Sequence, residues 1–138
     1  MQQMAIIDWH LYLTDGAKYL RTAHAGAEKR AGVFTTEILY NIIGMGIEKL
    51  IMGFLMSRGD LAENHTMGDL LRALEKHVEV PAALARDLLY LDSFQEICDL
   101  ATYNRRPPTP AESRRILAIG SELQTFINDT MQPCRPAA

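Results

Sequence analysis

The chain has 138 residues, 48% of them apolar, and a formal net charge of −3. This length predicts a single domain, with a core at about residues 8–130, and the acidic balance excludes a protein whose whole surface binds nucleic acid, because that task needs dense Lys and Arg. The two cysteines, Cys98 and Cys134, are too few for a disulfide framework, and the N-terminus lacks the basic region and long apolar segment of a secretory signal. A cytoplasmic location is therefore expected.

Apolar residues recur at spacings of three and four along most of the chain, which predicts helices rather than strands. The first helix is expected from about Asp8 to Arg30, with a break at Gly32. The spacing places Leu13, Ala17, Leu20, His24 and Ala27 on one stripe of this helix, with His24 at its edge.

The second helix is predicted from Thr35 or Thr36 to Arg58, with Gly59 in the left-handed conformation at its end. It is apolar around much of its circumference, and its three methionines, Met45, Met52 and Met56, suggest more apolar surface than a monomer needs. Because Glu48 and Lys49 lie inside the long apolar run, we expect a core helix and not a membrane span.

A short third helix is expected to begin at Thr66, where the hydroxyl can accept from the Asp69 amide and the Asp69 carboxylate can reach back as a capping box, and to end near His77. The fourth is predicted from Pro81 to about Tyr103. Its expected inner face consists of Leu84, Leu88, Leu91 and Cys98.

Residues 105–108, Arg-Arg-Pro-Pro, cannot continue a helix, because proline removes amide donors and restricts the preceding residue. A fifth helix then begins at Thr109-Pro110-Ala111-Glu112, which places a capping hydroxyl, a Pro and a Glu in their preferred positions. Its predicted stripe consists of Ile116, Ile119, Leu123, Phe126 and Ile127. Residues 131–138 are expected to be a frayed tail. The pattern predicts an all-α fold: an antiparallel four-helix up-and-down bundle with an additional short helix.

Two stretches resemble the HEPN domain family: residues 46–59, GIEKLIMGFLMSRG, and residues 65–74, HTMGDLLRAL. Family members share a helix with Glu-Lys, a turn, and a helix start of the His-x-Leu type. The resemblance implies a small helical bundle that forms a homodimer. It also implies association with a minimal nucleotidyltransferase in a toxin-antitoxin or nucleotide-handling system.

Catalytic members of that family carry an Arg-x4–6-His motif that cuts RNA at a dimer interface. Here Arg105 or Arg106 matches the arginine, but no histidine follows in the chain. A metal-independent ribonuclease needs such a group to move the proton of the 2′-hydroxyl. The sequence therefore favours a non-catalytic binding or regulatory module, with nucleotide or RNA as possible ligands. The candidate cleft residues are Asn104, Arg105, Arg106, Lys49, Glu48 and His65.

Each part of this candidate cleft has an alternative. Arg105 and Arg106 can cap the fourth helix while Arg114 and Arg115 form a solvated face. Lys49 can extend to the surface and Glu48 can pair with an Arg of another helix. His65, in its neutral form, can have a purely local role, in which it packs or forms a hydrogen bond at the start of the third helix.

The competing function is a ribonuclease or RNA-binding protein that uses the Arg105 and Arg106 loop with a displaced base, His65 or His24. No Glu-x-x-His spacing of a helical di-metal site occurs in the sequence, so we expect neither a metal nor a cofactor. The run Gly44 to Lys49 follows no strand, which favours glycines that allow close helix packing over a phosphate loop.

Overall fold

The computed structural model describes residues 8–96 and 106–132, which form five α-helices and no strand. The helices are α1 (Trp9–Lys29), α2 (Thr36–Ser57), α3 (Met67–Glu75), α4 (Ala82–Glu96) and α5 (Pro110–Met131). The all-helical prediction is confirmed. The predicted end of the fourth helix near Tyr103, and most of the predicted tail, lie outside the described residues.

Both ends of α2 follow from local sequence. The Thr35 hydroxyl accepts from the Ile38 amide at 3.2 Å, which satisfies one of the free N–H groups of the first turn. At the other end Gly59 has a φ of 73°, and the amides of Gly59 and Asp60 donate to Met56 and Leu55 at 3.0 and 2.9 Å. This is a Schellman motif, which requires a residue that tolerates positive φ, as predicted for Gly59.

Two further threonines begin helices. Thr109 and Glu112 form the predicted capping box at α5: the Glu112 amide donates to the Thr109 hydroxyl at 3.1 Å, and the Glu112 carboxylate accepts from the Thr109 amide at 2.9 Å. At α3, Thr66 accepts from the Asp69 amide at 3.0 Å as predicted, but the Asp69 carboxylate accepts from the Thr66 hydroxyl at 2.7 Å. The expected box is therefore only half formed at α3.

Helices α1 and α2 pack as a close antiparallel pair through glycines. A Cβ on Gly46 would lie 2.8 Å from Leu20 Cδ2 and 3.2 Å from the Gly16 carbonyl oxygen, and one on Gly53 would lie 3.0 Å from Leu13. A side chain at Gly46 would need its neighbours to move, and one at Gly53 would be tightly packed. The prediction of glycine-mediated packing is thus confirmed for Gly46, whereas a Cβ on Gly44 would have only Met67 Cε nearby, at 3.9 Å.

The core centres on α2, which contacts α1, α3 and α5. Its fully buried members include Ile43, Ile47, Ile51, Phe54 and Leu55. The predicted α5 stripe is buried except for the half-buried Phe126, and the described part of the α4 stripe is buried too. The assignment of the chain to one domain stays a prediction.

Two expectations about the core were only partly right. On α1 the predicted Leu20 is buried, and Leu13 and Ala27 pack half-buried against the core, but His24 is exposed. The other buried residues of α1 are Gly16, Ala23 and Gly26, because the close approach to α2 selects the small-residue face. On α2, Met52 and Met56 are buried core residues, which leaves Met45 as the exposed one of the three. The helix Thr36–Ser57 is long and apolar enough to span a membrane, and 56% of its 18-residue apolar window is buried inside the fold.

Candidate functional site: a groove between α2, α3 and α4

A groove of about 900 Å³ lies between α2, the start of α3 and α4. Its apolar part includes Met45 and Leu89, whose exposed fractions are 45% and 48%. Its polar part includes Glu48, His65 and Arg72. The remaining lining residues are Tyr40, Asn41, Gly44, Thr66, Met67, Gly68, Leu91 and Asp92.

The groove brings together Glu48 and His65, two of the predicted site residues. His65 Nδ1 forms a hydrogen bond with Glu48 Oε1, and His65 Nε2 faces the Ala62 carbonyl oxygen at 3.3 Å. Glu48 therefore pairs with a histidine, and the expected pairing with an Arg of another helix was wrong. The contact ties the middle of α2 to the residue before the N-cap of α3, across a chain separation of 17 residues.

The N-terminus of α3 is held by an acidic residue of α4. Asp92 Oδ1 accepts from the Met67 amide and Asp92 Oδ2 accepts from the Gly68 amide, both at 2.8 Å. A carboxylate here satisfies two free N–H groups and meets the positive end of the helix dipole. Arg72 pairs with Asp69 one turn into the same helix. Asp92 and Arg72 were missed by the sequence analysis, although Asp92 follows Leu88 by one turn on the inner face of α4.

Lys49 lies outside this groove. Its Nζ is 3.7 Å from Asp15 Oδ2 and 4.7 Å from the centroid of the Tyr12 ring, both on α1. Adjacent residues of a helix point about 100° apart, so Glu48 and Lys49 serve different neighbours. The two side chains therefore do not share this groove, and the place of Asn104 and Arg105 relative to them stays a prediction.

The loop arginine Arg106 pairs with Glu112. Its Nη1 and Nη2 donate to the two carboxylate oxygens of Glu112 at 2.9 and 3.1 Å, which supports the start of α5. The expected capping of the fourth helix stays a prediction, because the end of that helix lies outside the described residues. Arg106 does not line the groove. Asn104 and Arg105 lie outside the described residues.

Arg115 was expected on a solvated face, but its guanidinium contacts two side chains of α4. Its guanidinium lies 3.7 Å from the Tyr90 ring centroid, and Nη2 is 3.4 Å from Asp87 Oδ1. Stacking and pairing of this kind bind α5 to α4. Part of the predicted basic cluster therefore serves helix packing.

The Arg106–Glu112 pair makes the stability of the protein depend on pH. The Arg106 guanidinium and the Thr109 amide hold the pKa of Glu112 at about 2, below its ordinary value of 4.5. A lowered folded-state pKa adds stability above the ordinary value, and that stability is lost as pH falls through about 2. We expect Glu112→Gln to lower the urea midpoint at neutral pH, and the difference from the parent to shrink between pH 4.5 and about 2.

The control for this measurement is Glu122→Gln, which changes an exposed carboxylate of the same helix. Its urea midpoint should follow the parent at every pH. A difference for Glu112→Gln that stays constant down to about pH 2 would show that the pair does not carry the effect.

The other histidines make structural contacts. His77 Nε2 is 2.8 Å from Asp60 Oδ2, and this hydrogen bond, with the Leu61 amide, lowers the pKa of Asp60 below its ordinary value. His24 Nε2 is 3.0 Å from the Ser121 hydroxyl. His10 stacks on its neighbour Trp9. Within residues 8–96 and 106–132, no cluster of three His, Cys, Asp or Glu residues is arranged to hold a metal.

Comparison with known proteins identifies a shared fold. No protein-family model matches the chain, and no curated protein matches it. The structure is similar to the crystal structure of TT1696 from Thermus thermophilus, with a TM-score of 0.72 over 90% of this chain and 98% of that chain. The two sequences are 21% identical. The chain therefore shares its all-helical fold with TT1696.

Proposed function

We propose that this protein is a non-catalytic binding or regulatory module and that the groove between α2, α3 and α4 receives its partner. The observation that carries the proposal is the groove itself. It is open, holds the half-exposed apolar side chains Met45 and Leu89, and places the Glu48–His65 pair beside them. Concave sites that combine apolar walls with a few oriented polar groups are typical binding sites.

The proposal keeps the HEPN-like architecture, with α1, α2, α4 and α5 as an antiparallel four-helix bundle and α3 as the added short helix. Glu48 and His65, which carry part of the family resemblance, contact each other in the groove, and this supports a shared role. We extend the proposal to a homodimer that partners a nucleotidyltransferase in a toxin-antitoxin or nucleotide-handling system, as the resemblance implies.

The alternative, a ribonuclease built on the arginine loop, receives less support. The Arg106 guanidinium is engaged by both oxygens of Glu112, so its charge is compensated. The two proposed displaced bases are engaged elsewhere, His65 with Glu48 and His24 with Ser121. A general base must reach the proton that it removes, and the described contacts hold neither histidine at Arg106.

Size-resolved light scattering, with each fraction incubated with a single-stranded RNA ladder, tests this function. We expect a homodimer that leaves the RNA intact. The matched variant is the Arg105→Ala, Arg106→Ala double mutant, which should behave like the parent. Metal-independent cleavage that follows the protein peak and disappears in the double mutant would overturn the proposal in favour of the ribonuclease.

A further inference from the structure

We propose that the groove between α2, α3 and α4 binds an amphipathic α-helix of a protein partner, with apolar side chains against Met45 and Leu89 and a Lys or Arg side chain at Glu48. The inference rests on the proposed binding function and names the class of partner that the groove takes. Three properties of the groove support it: its available charge, its apolar walls and its dimensions.

The available charge is negative. Both carboxylate oxygens of Asp92 accept hydrogen bonds from amides of α3. Arg72 lines the groove with a side chain that is 67% exposed, but its charge is balanced by the Asp69 carboxylate. Glu48 uses Oε1 for His65, while Oε2 makes no hydrogen bond or ion pair within residues 8–96 and 106–132. The Glu48 side chain is 37% exposed. A cationic group therefore complements the ionic acceptor that the described residues leave open.

The apolar walls are adaptable. Met45 on α2 and Leu89 on α4 are each about half exposed, and Met67 lines the groove from α3. Methionine side chains are flexible and polarizable, so they fit apolar anchors of different shapes. Exposed apolar side chains that line one groove are typical of an interaction site rather than of scattered surface residues.

The dimensions suit a helix. The groove residues of α2 run from Tyr40 to Glu48 and recur at spacings of three and four, so they lie on one face of the helix. At a rise of about 1.5 Å per residue this face is a strip about 12 Å long. Apolar anchors at positions i, i+4 and i+7 of a partner helix cover nearly the same length. Gly44 lies in the middle of the strip, and a Cβ there would meet only Met67 Cε, at 3.9 Å. The absent side chain leaves room for a partner helix to approach α2.

The test is a titration of the isotope-labelled 138-residue chain with two peptides of about 18 residues, about five helical turns. One contains only Leu and Lys with Leu at helical spacing, and the other has Glu at each Lys position. The reporters are the amides of Gly44 and Gly68, which line the groove, and of Gly32, which has no atom within 4 Å of a Cβ position. We expect the Lys peptide to shift Gly44 and Gly68 but not Gly32, and to bind about tenfold more tightly than the Glu peptide.

Matched variants locate the charge. Glu48→Gln keeps an oxygen for His65 but removes the charge, and should weaken the Lys peptide roughly fivefold, as for a partly exposed ion pair. Glu122→Gln removes an exposed charge from α5 and should leave the affinity unchanged. Met45→Lys replaces an exposed apolar side chain by one that repels the Lys peptide, and should abolish the groove shifts in a protein that retains its helical circular dichroism.

The outcomes separate this inference from the proposed function. Equal affinities for the two peptides, or equal effects of Glu48→Gln and Glu122→Gln, would overturn the inference that the partner is a cationic helix. If AMP or ATP shifts the Gly44 and Gly68 amides and neither peptide does, the helix inference is wrong but the proposed binding function stands. A dimer that becomes a monomer in Met45→Lys would assign the groove to a second copy and overturn the inference. If no probe moves Gly44 and Gly68 and the protein is monomeric, both proposals are wrong.

Discussion

Gly46→Val is expected to lower the free energy of unfolding by about 3 kcal/mol, at the upper end of the usual cost of overpacking. The first added carbon would lie 2.8 Å from Leu20 Cδ2 and 3.2 Å from the Gly16 carbonyl oxygen. Leu20 is fully buried in the core, and the carbonyl is part of α1, so neither can move aside without shifting the helix pair. Urea denaturation followed by circular dichroism measures the change.

Gly44→Val is the matched control in the same helix. Its nearest atom is Met67 Cε at 3.9 Å from the Cβ position, and Val has a slightly better helix propensity than Gly. The free energy of unfolding should therefore stay within about 0.5 kcal/mol of the parent. Equal losses at Gly44 and Gly46 would show that the close approach of α1 and α2 does not decide the effect.

Asp92→Ala is expected to cost about 3 kcal/mol, because two hydrogen bonds to one charged group are lost and two amides at the start of α3 are left without that acceptor. Asp92→Asn keeps one acceptor oxygen and should cost roughly half as much. Thr66→Ala removes only the local cap of the same helix and should cost about 1 kcal/mol.

Hydrogen exchange gives this prediction a local measurement. The Met67 and Gly68 amides should lose protection in Asp92→Ala, while Asp129→Ala, at an exposed position of α5, should change neither the exchange nor the stability by more than about 0.5 kcal/mol. Unchanged protection of Met67 and Gly68 in Asp92→Ala would mean that the Asp92 carboxylate does not hold these amides.

The helix starts could be predicted from sequence because they depend on residues three apart in the chain. A threonine followed three residues later by an acceptor or donor defines the starts at Thr66 and Thr109, and Gly59 defines the end of α2. These contacts form wherever the helix forms, whatever the helix packs against. The same holds for most of the α5 stripe, since apolar periodicity is a property of one helix.

The contacts of the groove could be predicted only in part. Glu48 and His65 were recognised as site residues, but not as partners of each other, and Lys49 and Arg106 were assigned to the same cleft although they face Asp15 and Glu112. Glu48 and Lys49 are adjacent in the sequence and were therefore treated as one site, yet adjacent side chains of a helix point toward different neighbours. Which neighbour each meets depends on how the helices are placed.

The sequence by itself determined that this protein is helical, where most of its described helices begin and end, and which glycine ends α2, because these properties come from hydrogen bonds and dihedral preferences within a few residues. Only the tertiary structure decided that Asp92 caps α3, that Glu48 contacts His65, and that an open groove separates Met45 from Leu89. The reason is that these features join residues 17 or more positions apart, whose approach depends on the docking of α3 against α2 and α4.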